Sequence, residues 1–579
     1  ALHAAGTFDF VFRHDRAAQL PNGFANSLGI RLAQCSMRYA GFPYPLTNVS
    51  GTLRMERGHW TIKEIVGSND SGTVRCTGGL VPMGEDDGEL TLHLSGDGVV
   101  LDRELRDALP RGMGRIWDDI DPRGNVGFTA TVRHRVKAKK TDVEVEAIPQ
   151  ADTVSIEPAW FPYRLERLQG KLAWKDGLLT FDGVRGVHAR TTVSTEGTCR
   201  FAPDGGWHVS FARLAADRFR ADHEVLQAMP AGLRRAIAAV NPRGLLSLEG
   251  TLDIYAQATP EGGVGPASAA WDMRLDMEQG SLDAGILLEH VHGGVRLKGR
   301  TDGRTWRSQG ELALDSAIWR GVQLTAVQGP LVMDQEGVRF GLTAGGEEGR
   351  SRRLSARVAG GSVYADGSVS AGPGGTFAVA AAVSDAQIER LAGDMSALSG
   401  AAQKYTGKVF GAIEVSGART GTHSLVGRGQ LRLRDADIYE LPVIVALLKV
   451  LRVKAPDRKA FSSSLVDFRV EGPRAYLDNI ELSGDAISLV GNGEVDFDSR
   501  VRMTFRSIMG DSETQLPVMK RVLGGASGQF MLVHVDGTLA QPDITTEAFP
   551  TLNAALQQLQ SNRRDAGRVG LGDRREGPR

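Results

Sequence analysis

Cysteine is nearly missing: Cys35, Cys76 and Cys199 are the only three in 579 residues. With no close pair among them they exclude a disulfide scaffold and a Cys-rich zinc module, and they read as small buried apolar residues. Aromatics are scarce, at 6%. Neither sign of charge dominates. Lys and Arg total 68 against 69 for Asp and Glu, a net charge of −1. Such a balance offers no global field to nucleic acid, and no nucleic-acid partner is expected. No apolar run approaches the roughly 20 residues of a membrane span. The best candidate, Leu441 to Leu451, carries Pro442 and Lys449. Signatures of catalysis are missing too: no P-loop, no G-x-S-x-G elbow, no H-E-x-x-H and no dinucleotide fingerprint. The expectation is a protein that is not an enzyme and holds no cofactor and no metal. His290 and His292 stand two apart but lack companion ligands, and read as exposed strand histidines. Asp118, Asp119 and Asp121 suggest a cation loop, yet the aligned residues of a second copy (below) are Ala238, Ala239 and Asn241. Solvated charge at a helix end is the better reading.

What is abundant is glycine, 72 residues against only 23 prolines, with no collagen-like period. That load predicts many tight turns between short strands.

The chain repeats itself. Residues 42–62 recur as residues 161–181 without a gap: Phe42, Pro43, Tyr44, Leu46, Gly51, Leu53, Gly58 and Thr61 coincide with Phe161, Pro162, Tyr163, Leu165, Gly170, Leu172, Gly177 and Thr180. Residues 102–124 then match 222–244, including Asp102/Asp222, Pro110/Pro230 and Gly124/Gly244. Two diverged copies of a strand-rich unit therefore fill the first half. In each, apolar residues alternate around a turn glycine, as in Leu53, Met55, Gly58, Trp60 and Ile62, and again in Leu90, Leu92 and Leu94. In each, Asp102 or Asp222 suits a helix N-cap, and Pro110 or Pro230 suits the first position of a following helix. The spacing predicts unit one over 1–135 with a helical insert at 102–121, and unit two over 136–255 with an insert at 222–241. Further diverged strand units cover 256–426, with a third helical insert expected between Ile388 and Gly407. Residues 427–556 are nearly all strand around one helix at about 441–453, and 557–579 form a disordered tail.

The stretch from Gly427 to Leu559 resembles the AsmA family of bacterial cell-envelope proteins, in its AsmA-like C-terminal region. Gly427 to Pro442 leads into an apolar helix, Phe468 to Ser483 leads to Leu489 to Asp496, and Val535 to Ile544 closes the region. The resemblance implies a mainly β fold: a long, curved antiparallel sheet, a repeating β-groove with short helical inserts. It also implies a role, since relatives of the TamB and YhdP type are regarded as bridges carrying phospholipid between inner and outer membranes. By that resemblance the partners are phospholipid or another acyl lipid and proteins of the inner and outer membranes. The place is the periplasm of a Gram-negative-type bacterium, with an inner-membrane anchor outside this chain. The alternative is an envelope scaffold or outer-membrane assembly factor that conducts no lipid.

The candidate groove residues are Val466, Phe468, Val470, Val495, Phe497, Val501, Met503 and Phe505. Alternation leaves two readings open: the core of a closed sandwich, or the lining of an open trough. The resemblance favours the trough, and in a trough a carboxylate replacing Met503 is expected to keep some water.

Overall fold

A computed structural model describes residues 2–16, 24–84, 87–202, 204–229, 231–259, 263–283, 287–344, 352–372, 374–391, 406–437, 463–483, 487–509, 531–539 and 541–548. The protein is mainly β. Among the described residues 29 strands belong to one antiparallel sheet, and the few helices are short. The chain divides into two units. The first comprises Ala1–Ser281, His292–Glu311 and Met333–Gln335; the second comprises Leu282–Val291, Leu312–Val332 and Glu336–Arg579.

Alternation is what makes these segments strands, and tight turns are what makes them a meander. The Phe42–Glu56 and His59–Asn69 strands pair with Met55 opposite Trp60 and Leu53 opposite Ile62. Between them Arg57 and Gly58 both have positive φ, +50° and +81°, the signature of the turn whose twist matches that of the strands it joins. Asp176-Gly177 repeats it at +49° and +78°.

The helical inserts form where the caps predict them. Helix α1 (Arg103–Ala108) is capped by Asp102, whose carboxylate accepts from the Leu105 N–H at 2.9 Å. Helix α2 (Arg111–Ile120) follows. In the second copy α3 (His223–Ala228) is capped by Asp222 on the Val225 N–H at 3.1 Å, and α4 (Ala231–Val240) follows. The offset is 120 residues (223 − 103). Pro110 is the N-cap of α2 rather than its first helical residue. Pro230 lies outside the described residues, as do the 441–453 helix, most of the third insert and the 557–579 tail; Ile388–Leu391 is helical.

Each helix pair is tied down in the same way. Leu105 and Ala108 of α1 pack on Tyr44, Val74 and Val99; Val225 and Ala228 of α3 pack on Tyr163, with Phe161 and Phe219 beside them. A polar clamp accompanies each cluster. The Asn69 amide donates to the Pro45 carbonyl at 2.8 Å and to the Glu104 carboxylate at 3.0 Å. His188 holds the corresponding place, with Nδ1 at 2.6 Å from the Arg164 carbonyl and Nε2 at 3.1 Å from Glu224.

Glycine does more than turn the chain. Gly96, Gly197, Gly429 and Gly491 sit inside strands, where a Cβ would run into the ring of Phe128, Phe181, Phe468 or Phe505. The expectation that glycine chiefly marks turns is corrected accordingly: bare strand positions also make room for neighbouring rings.

Candidate functional site

Paired residues of neighbouring strands share a face of the sheet, so the register shows what each face is made of. In the first unit one row runs Phe8, Leu32, Gly51, Ile65, Cys76 and Leu94. It continues through Ala130, Val145, Trp174, Leu179, Cys199 and Val209 to Ile254 and Ala269. That is one residue from each successive strand, and none is charged or polar. A parallel row includes Phe128, Ala147, Leu172, Phe181, Gly197 and Phe211. The opposite face carries cross-strand ion pairs: Arg75–Glu64 at 2.9 Å, Lys171–Glu146 at 2.6 Å and Arg213–Glu249 at 3.1 Å. These are exposed and add little stability. Their effect is to mark that face as the wet one.

Bulges return apolar residues to this face. Leu94 and Val99 differ in parity, yet one extra residue between Gly96 and Val99 returns Val99 to the face of Leu94, opposite Val126. Asn48 (φ +52°) and Arg167 (φ +51°) bulge the equivalent strands of the two copies.

This face is not sealed. Ile65, Leu94, Ala130, Val145, Trp174 and Leu179 are all half-buried, and Phe8, Phe10 and Phe12 on the first strand are 54–64% exposed. Burial pushes the Cys199 thiol up to about 12 and raises that of Cys76. Cys35 and Cys199 are buried, as their apolar reading requires, while Cys76 is half-buried. The helices α1 and α3 lie on this apolar face, since their partners Val99 and Phe219 pair with Val126 and Leu246 along it.

In the second unit the register brings seven of the eight candidate residues onto one face. Val466, Ile480, Gly491 and Phe505 form one row. Phe468, Leu477, Gly493 and Met503 form the next; Val470, Ala475, Val495 and Val501 form the third. Phe497 is the exception. The strand ends at Asp496, and Phe497 sits in the following turn, 53% exposed, with its N–H on the Pro473 carbonyl at 3.1 Å. The reading that placed it beside Val495 is corrected. Alternation continued past the strand end, and the turn at Asp498–Ser499 cut it short.

The openness expected around Met503 is corrected as well. Met503 is 8% exposed, Phe505 2% and Val501 4%, and with Leu489, Val533 and Val535 they form a sealed cluster. Val466, Phe468 and Val495 remain half-buried. This part of the face is a core; the half-open apolar face lies in the first unit, which the candidate set missed. Its signal was present in the alternating Leu90, Leu92 and Leu94.

The acidic residues near α2 hold no cation site. Asp118 pairs with Arg106 at 2.5 Å, and Asp121 accepts from Arg123 at 2.8 Å and Arg164 at 3.0 Å. These guanidinium contacts hold both carboxyls below their usual range. Burial, with Asp118 nearby, raises Asp119. Among the described residues no group of His, Cys, Asp and Glu could hold a metal ion, and no helix is long and apolar enough to cross a membrane.

The chain matches no family model, no curated protein and no solved structure.

Proposed function

We propose that this protein binds the acyl chains of phospholipid on its apolar face and conducts them between the inner and outer membranes, from a position in the periplasm. One observation carries the reading: an uncharged row of residues crosses fourteen successive strands of the first unit and, at every strand but that of the buried Cys199, stays half-exposed or exposed. A closed core would bury such a row. Leaving it open has a cost in contact with water, about 25 cal/mol per Å² of apolar surface, and an acyl chain laid along it recovers that cost at about 0.8 kcal/mol per CH₂. No cofactor or catalytic group is needed. The AsmA-like pattern of residues 427–559 supplies the membranes and the compartment. Native mass spectrometry of the purified chain, followed by lipid extraction, tests the reading. Co-purifying phospholipid that is lost in Leu94→Asp supports it. A clean apo mass sinks it.

A second reading has its own support. The sealed cluster around Phe505 and Val533 suits an envelope scaffold or assembly factor, in which this region serves only as core. Under that reading Leu94→Asp leaves the partners of the protein in the envelope unchanged.

A further inference from the structure

Building on the lipid reading, we infer that a bound lipid keeps its polar headgroup at the turn end of the first unit's strands, beside Trp60, Trp174 and Trp207, and away from the helix end.

The two ends differ in kind. Antiparallel order puts the Arg57-Gly58 and Asp176-Gly177 turns at one end of the strands and both helix pairs at the other. At the helix end the apolar face is closed: Tyr44 is 7% exposed, Val99 1% and Ala108 4%, and in the second copy Tyr163 is 7% and Ala228 3%. A hydrated headgroup finds no room there without unpacking a helix.

At the turn end three strands of the same face finish in tryptophan. Trp60 pairs with Met55 and Leu80, Trp174 with Val145 and Leu179, and Trp207 with Phe201 and Ala256. Each ring thus belongs to the apolar face, and each stands within two residues of its strand's end. All three are half-buried, and among the described residues none of their indole N–H groups meets an acceptor in the chain. An apolar ring with one free donor suits a boundary, with acyl carbon on one side and ester or phosphate oxygen on the other. Trp117 and Trp160 also stand at the helix end, but on α2 and on a loop, not on the strand face.

The test uses the unaltered chain loaded with either of two photoreactive phosphatidylcholines, one with the diazirine on the headgroup and one with it midway along an acyl chain. Adducts are located by peptide mass spectrometry. Headgroup adducts are expected in residues 54–63, 171–180 and 204–210 and absent from 103–120, while acyl adducts fall along the Ile65–Leu94 row. Headgroup adducts concentrated in 103–120, or spread evenly over both ends, overturn the inference and leave the lipid reading standing. Failure of both probes to label the face sinks the lipid reading and this inference together. A triple variant, Trp60→Phe with Trp174→Phe and Trp207→Phe, keeps an aromatic ring at each place and removes all three donors. It should retain phospholipid severalfold less well than the parent while holding a headgroup-free alkane probe equally. An equal loss of both probes would reduce the tryptophans to packing.

Discussion

The ring of Phe128 lies against Gly96 on the neighbouring strand, so closely that a Cβ at Gly96 would collide with it. Small and large are therefore matched across the strand pair. Gly96→Val should destabilise the first unit by about 1–3 kcal/mol, the usual range for overpacking. Phe128→Ala should leave a cavity and cost about 3 kcal/mol by itself. The double variant should cost less than the sum, and a double-mutant cycle by denaturant unfolding measures the difference. Strict additivity would mean that the ring and the glycine do not act on each other.

Tyr44 and Tyr163 hold equivalent places in the two copies but differ in one hydrogen bond. The Tyr163 hydroxyl reaches Thr191 at 3.3 Å. The residue aligned with Thr191 in the first copy is Gly72, and the buried Tyr44 hydroxyl has no partner among the described residues. Tyr163→Phe should cost about 1 kcal/mol, and Tyr44→Phe should be neutral or stabilising, because it removes an unpaired buried group. Thermal unfolding of both variants checks the contrast, and equal losses would contradict it.

Leu94 and Met503 test open against sealed apolar surface. Met503, 8% exposed within its cluster, should tolerate aspartate poorly. Met503→Asp buries an unpaired carboxylate and should cost several kcal/mol, seen as loss of the folded second unit. Half-buried Leu94 keeps access to water, so Leu94→Asp should lower stability by a smaller amount. Circular dichroism melts of the two variants decide the order.

Alkaline pH should weaken the fold. Burial raises the Cys199 thiol to about 12 from an ordinary 9.0. Burial, then Asp102, Asp70 and Glu104, raises Tyr44 to about 12 from 10.0. Both groups lose their protons sooner in the unfolded chain, so their contribution is complete below pH 9 and drains away as pH rises toward 12. Cys199→Val should flatten the fall in stability between pH 9 and 12, read by urea unfolding at stepped pH. An unchanged slope would show that Cys199 ionises equally in both states.

Strand architecture was legible in the residues because period-two alternation and glycine turns are local properties. Leu53, Met55, Trp60 and Ile62 declare a hairpin unaided. Bulges were not legible. Leu28, Ile30 and Leu32 share a face with Cys35 and Met37 only because Gln34 takes a positive φ, and nothing in glutamine announces that. Helix caps were read correctly from Asp102 and Asp222, whose short carboxylates have one strongly favoured use at that position. Of the candidate site, three rows in the second unit emerged as a set. The degree to which they are covered did not, because alternation is identical at Leu94 and Met503 while exposure depends on what packs above.

Within each unit, and outside the Val322–Ser370 region, the hydrogen-bonded strands whose register is described are neighbours in sequence. Folding can then proceed as a zipper, each hairpin templating the next, with little loop-closure entropy to overcome at any step. The native state behaves as a one-dimensional array whose stability accrues strand by strand. Pulled from its ends in an optical trap, such a chain should yield in a ladder of small steps, each near the length of one hairpin.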